Sequence, residues 1–102
     1  MSLKAADDIR SLFSFLLVLT FTLYSRAYCH LCHEMQLAFD ALALTVPHRL
    51  EVVDVDAQPE LVERYDEWVP VLTGKRPDQS SVQLCHYRLD VAAVERFVAD
   101  SM

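Results

Sequence analysis

Two cysteines stand two residues apart at Cys29-His30-Leu31-Cys32. On a first helical turn, positions i and i+3 are neighbours roughly 5–6 Å apart, within reach of a disulfide. If the segment opens a helix, Cys29 sits where unpaired backbone N–H groups converge. Those donors and the helix dipole favour a thiolate, so its pKa falls below the free value of about 8.5. Arg26 and His30 add positive charge nearby. Cys32 lies one turn deeper and is expected to be more buried, with a higher pKa. Thiol–disulfide exchange needs that asymmetry: one thiolate attacks a disulfide, and the second resolves the mixed disulfide.

Other chemistries compete for the same residues. Cys29 to His33 reads C-x-x-C-H, the attachment motif of c-type haem, with His33 as proximal ligand and Met35 or Met102 as distal candidates. That use needs export and fits poorly with the strands that follow. A metal site could join Cys29, Cys32 and His33 to Cys85 or His86, yet only the first three have local spacing. The expected site holds no metal. Cys85 reads as an inert cysteine on a buried strand, and His48 and His86 as surface or strand histidines. Val69-Pro70 has two readings. One is a proline at a strand start; the other is a cis peptide beside the thiols, offering the backbone of Val69 to an extended peptide.

The elements that position these residues follow from periodicity. Leu19–Tyr24 is a strand rich in Thr, Phe and Tyr. Cys29 to about Leu44 is a helix with Leu31, Met35, Ala38, Phe39 and Leu42 on one stripe, stopped before Pro47. Leu50–Val55 is a strand. Pro59 opens a short helix with Leu61, Val62 and Tyr65. Val69–Thr73 and Val82–Arg88 are strands joined by the turn-rich Gly74–Ser81, too short for a crossover helix and so an antiparallel hairpin. Asp90 caps a closing helix with Val91, Val94, Phe97 and Val98 facing inward. The order β-α-β-α-β-β-α predicts an α/β fold: a mixed four-stranded sheet flanked by helices, with a parallel βαβ unit at its start.

The chain's 102 residues, 53% of them hydrophobic, suffice for one core and argue against disorder. A formal charge of −6 disfavours nucleic acid as a partner. Three cysteines are too few for a disulfide scaffold. Ser11–Ser25 carries no charge, but falls short of the roughly 18–20 residues that span a bilayer. Lys4 and Arg10 before it, and Ser25-Arg26-Ala27, resemble a secretory signal; Asp7 and Asp8 oppose that reading. Ile9, Leu12, Phe13, Leu16 and Leu17 instead form a helical stripe. Residues 1–17 are therefore expected to be an N-terminal extension and residues 18–102 the domain, cytoplasmic and without membrane attachment.

Tyr24 to Cys32 resembles the active-site segment of glutaredoxins, where a strand ends in Tyr-Ser-basic and runs into Cys-Pro-Tyr-Cys. Val69-Pro70-Val71-Leu72 resembles that family's Val-Pro segment. Cys-His-Leu-Cys, Val-Pro-Val-Leu and Leu84 to Asp90 together resemble a small bacterial glutaredoxin-like family. The resemblance implies a thioredoxin fold and a thiol–disulfide oxidoreductase with Cys29 as nucleophile and Cys32 as resolving thiol. It implies glutathione contacts at Arg26, Tyr28, Val69, Pro70 and Asp90, with Arg26 near the glutathione carboxylate and Asp90 near its amine. Protein or glutathione disulfides are the implied partners. Glutathione is then a candidate co-substrate, and no cofactor is tightly bound. Two departures stand out: His30-Leu31 replaces Pro-Tyr, and His86-Tyr87-Arg88 stands where the family has Gly-Gly.

Overall fold

Alternation along the first strand sets up both faces of the sheet. In the computed structural model, which describes residues 18–101, β1 (Leu19–Ser25) buries Leu19, Phe21 and Leu23 on one side. Tyr24 packs on the other. The chain continues through α1 (His30–Ala41), β2 (His48–Asp54), a single 3₁₀ turn at Val55–Ala57 and α2 (Pro59–Tyr65). It closes with β3 (Val71–Lys75), β4 (Val82–His86) and α3 (Val91–Asp100). This is the predicted order. The sheet runs β2-β1-β3-β4, with β1 parallel to β2 and antiparallel to β3, and β3 antiparallel to β4.

The main core lies under α1 and α3. Phe21, Leu23, Met35, Phe39, Leu72, Val94 and Phe97 are buried together there. A smaller cluster of Val55, Tyr65 and Val71, with Tyr24 and Leu61 against it, packs α2 on the opposite face. The Tyr24 and Tyr65 rings stack at 4.3 Å, and burial, with Tyr65 beside it, pushes the Tyr24 phenol up.

Several boundaries differ from expectation, each for a local reason. α1 ends at Ala41 rather than near Leu44, because Leu42 and Ala43 donate back to the carbonyls of Phe39 and Asp40 and Ala43 takes φ 49°. That tight turn with a left-handed residue ends the α-helical ladder. The buried face of α1 is Cys32, Met35 and Phe39; Leu31 and Ala38 are exposed. Extending β1 in parallel register pulls the start of β2 back to His48, opposite Leu19. β3 begins at Val71, not Val69, and extends through Gly74 and Lys75, which pair with Phe21 and Thr20 of β1. β4 stops at His86 because Tyr87 turns left-handed, φ 64°. Val91 is exposed, while Val94 and Phe97 are buried. The helical stripe expected at Ile9–Leu17 lies outside the described residues.

Gly74, the only glycine in the chain, lies under Phe97. A Cβ there would stand 2.8 Å from Phe97 Cε1 and 3.1 Å from Leu84 Cδ1. The Phe97 ring has little room to yield. Phe21 packs edge-on at 5.7 Å and the Arg76 guanidinium lies 4.2 Å from its centroid. Gly74→Ala should therefore cost about 1–3 kcal/mol through overpacking. A urea midpoint equal to that of the parent would refute the tight contact.

Candidate active site

The loop leaving β1 delivers the cysteines to the mouth of α1. Tyr28 adopts φ 61°, and Cys29 is the N-cap, with extended backbone (φ −96°, ψ 109°). Its Sγ accepts the N–H of Cys32 at 3.1 Å, and its carbonyl receives the N–H of His33. Sulfur thus takes the place that a serine or aspartate oxygen usually fills at a helix start. Cys29 and Cys32 form a disulfide with Cα atoms 5.2 Å apart. Cys32 is 4% exposed, whereas Cys29 is half-buried at the rim. On reduction, the same N–H and the helix terminus face the Cys29 sulfur and favour its thiolate.

A cavity of about 480 Å³ opens at this pair, lined by Ser25, Arg26, Tyr28, Cys29, His30, Cys32, His33 and Gln36. Arg26, Tyr28, Cys29 and Cys32 of the expected site thus come together, whereas Val69, Pro70 and Asp90 lie outside this lining. The Val69-Pro70 peptide is cis. Val71 pairs with Tyr24, so Pro70 falls beside the end of β1 from which the cysteine loop departs. Asp90 is the N-cap of α3, its Oδ1 accepting the N–H of Ala93 at 3.0 Å.

Three groups in this region have partners within the chain. Arg26 is not a free cation: its Nε and Nη2 form a fork on Asp56 at 3.0 Å each, and Nη2 reaches Asp66 at 2.6 Å. Those bonds push its pKa up. His30 is likewise paired, its Nε2 standing 2.9 Å from Glu34. Finally, the N–H of Val69 does not face outward for a peptide, because it donates to the carbonyl of Tyr65 at 3.1 Å.

The rival chemistries fare differently. His33 is exposed, but Met35 is 2% exposed within the core and lies off the His33 face of the helix. It cannot serve as a distal haem ligand without unpacking α1. Met102 lies outside the described residues. Cys85 is buried with Leu72 and Val94, and its burial pushes the thiol pKa up. Among the described residues, no three His, Cys, Asp or Glu side chains gather as a metal-binding group. Nor is any helix among them long and apolar enough to cross a membrane.

Sequence reading missed the partners of Arg26. Asp56 and Asp66 stand 30 and 40 residues away from it, with no local pattern to announce them. It also missed an aromatic group beside the cis proline. Trp68, His86 and Tyr87 pack together, with the Trp68 and Tyr87 rings 6.2 Å apart. Tyr87 ties this group to the Pro70 loop, donating its O–H to the Glu67 carbonyl at 2.6 Å and its N–H to that of Pro70 at 2.8 Å. The one available signal in the sequence was that His86-Tyr87-Arg88 stands where the glutaredoxin pattern has Gly-Gly.

This architecture is found elsewhere. Mitochondrial thioredoxin 3 of Saccharomyces cerevisiae, in its oxidised form, superposes with a TM-score of 0.61 at 19% identity, covering 80% of this chain and 77% of that one. At that identity the likeness speaks for the fold alone. Protein Ne2328 of Nitrosomonas europaea is 32% identical over 78% of this chain and 89% of its own, with a TM-score of 0.65. Protein XcR50 of X. campestris is 26% identical over 78% of this chain and 96% of its own, with a TM-score of 0.52. No curated protein matches in sequence. The profile of the family described as "Glutaredoxin-like domain (DUF836)" matches residues 20–99, from the second residue of β1 to the last turn of α3. A mixed sheet that presents a C-x-x-C pair at a helix mouth beside a cis proline, together with that match, makes the chain a member of the glutaredoxin-like domain family, with a thioredoxin fold.

Proposed function

We propose that the protein is a thiol–disulfide oxidoreductase of glutaredoxin-like type, acting on protein or glutathione disulfides in the reducing cytoplasm. The observation that carries this reading is the asymmetry of the pair. Cys29 caps α1 at the rim with an N–H on its sulfur, and Cys32 is buried one turn behind it. The Cys29 thiolate attacks one sulfur of the substrate disulfide, forming a mixed disulfide and expelling a thiolate that takes a proton from water. Cys32 loses its proton and attacks the Cys29 sulfur. The second substrate thiol leaves, and Cys29–Cys32 closes. Two electrons pass from the protein dithiol to the substrate, and an external dithiol returns them.

The test is alkylation of the reduced protein across pH, with each cysteine followed by mass spectrometry. Cys29 should react fastest near neutral pH, with an apparent pKa below about 8.5. Cys85, shielded and with its pKa pushed up by burial, should lag at every pH up to the alkaline range. The folded-state pKa of Cys85 is raised, so its buried neutral thiol supports stability below the unfolded thiol pKa and loses that support as pH rises through the folded value. Equal, sluggish alkylation of Cys29 and Cys32, with no disulfide formed on oxidation, would defeat the proposal.

A further inference from the structure

We propose that the site takes disulfides within polypeptides and turns away glutathione, and that Asp56 and Asp66 enforce the choice. This rests on the exchange activity proposed above and names its substrate. Three of the groups that the glutaredoxin resemblance assigns to glutathione, Arg26, the Val69 N–H and Asp90, already have partners within the chain. Arg26 is held by two carboxylates, so its corner carries net negative charge. A glutathione carboxylate must displace one of them and lie beside the other. The Val69 N–H is bonded to Tyr65, and Asp90 caps α3. Tyr87, in the segment that stands in place of Gly-Gly, is pinned across the Pro70 loop by both its O–H and its N–H.

The surface that remains suits a polypeptide. Of eight exposed large hydrophobic residues among those described, Tyr28 lines the thiol cavity and Leu31 stands between the two cysteines in the chain. Leu31, Tyr87 and Val91 share a cavity of about 350 Å³ along α1, and Trp68 stacks on Tyr87. Clustered exposed apolar surface of this kind marks a protein-binding face. Glutathione has no large apolar side chain to cover it. Beyond Trp68, a cavity of about 340 Å³ is lined by Glu63, Asp66 and Glu67 with Arg64, Asp66 also pairing with Arg26. The complementary partner is a polypeptide segment with an aromatic or branched aliphatic residue next to its disulfide cysteine and a Lys or Arg nearby. Glutathione, an anion at neutral pH, is repelled where such a segment is drawn in.

The experiment is a single turnover of the reduced protein with three oxidants, read by acid quench and mass spectrometry. They are oxidised glutathione, the uncharged bis(2-hydroxyethyl) disulfide, and the disulfide dimer of a Lys-Trp-Cys-Leu-Lys peptide. Each rate is divided by the rate of the same disulfide with free dithiothreitol, which removes differences in leaving group. The peptide should exceed oxidised glutathione by at least about tenfold. Added salt should narrow that gap by screening the carboxylates. The double variant Asp56→Asn, Asp66→Asn should raise the ratio of glutathione disulfide to bis(2-hydroxyethyl) disulfide severalfold. Oxidised glutathione matching the peptide, a gap insensitive to salt, or an unchanged ratio in the folded double variant would overturn the inference while leaving exchange intact. Failure of all three oxidants would remove the exchange activity itself, and this inference with it.

Discussion

Cys29→Ser should bring disulfide exchange down to the uncatalysed rate, whereas Cys32→Ser should stop the cycle one step later with substrate attached. The contrast follows from position. Cys29 is the more exposed of the two cysteines that line the cavity, and its sulfur faces the Cys32 N–H at the start of α1. A serine oxygen at that cap would still accept the N–H, and so would hold the helix. It would not ionise near neutral pH, so the nucleophile is lost without loss of the fold. Buried Cys32 is poorly placed to meet an incoming disulfide but well placed to reach Cys29. Without it, the mixed disulfide on Cys29 lacks its internal resolving thiol and should accumulate. Intact-mass analysis under non-reducing conditions reads this directly, as an adduct on Cys32→Ser and none on Cys29→Ser. An adduct on Cys29→Ser of comparable yield would reverse the assigned roles.

Phe21→Ala should be the most damaging single change to stability. Phe21 is fully buried in β1, with ring centroids 4.9 Å from Phe39 of α1, 5.7 Å from Phe97 of α3 and 6.1 Å from His48 of β2. It therefore joins the central strand to both helices that cover the main core. Deleting a buried Phe side chain costs about 3–5 kcal/mol, from lost transfer energy and the cavity left behind. A domain of this size has about 5–15 kcal/mol in total. The urea midpoint should drop sharply with little change in slope. A loss below about 1 kcal/mol would mean that α1 and α3 close over the gap, contrary to the packing described.

The two effects are separable because the sulfur pair and the Phe39 contact of Phe21 lie at different points along α1. Met35 and Phe39 anchor that helix in the core, and Cys32 is the first buried residue on the same face. Loosening the anchor should blur the position of the resolving thiol before it alters Cys29 at the rim. The Cys32→Ser and Phe21→Ala results thus report on different ends of one helix.

What could be read along the chain was whatever depends on near neighbours. The thiol pair, its place before a helix, the Asp90 cap, the Pro59 helix start and the β3–β4 hairpin are all set by residues a few positions apart. Short-range spacing puts such groups within bonding distance whatever the remainder of the chain does. Periodicity found the strands as well, though it misjudged their ends. Gly74 and Lys75 look like loop residues until β1 offers them a ladder, and Leu31 looks buried until the helix is rotated onto Cys32, Met35 and Phe39. The pairing of Arg26 could not be read this way. Its partners come from the turn before α2 and from the end of α2, and only the packing of that helix against Tyr24 and Val71 brings Asp56 and Asp66 to it. The same holds for Tyr87, whose partners are the carbonyls of Glu67 and Pro70, 20 and 17 residues away in the chain (87 − 67 and 87 − 70). Chemistry was legible because it sits within one helical turn. Selectivity was not, because it depends on which distant groups the folded chain has already satisfied.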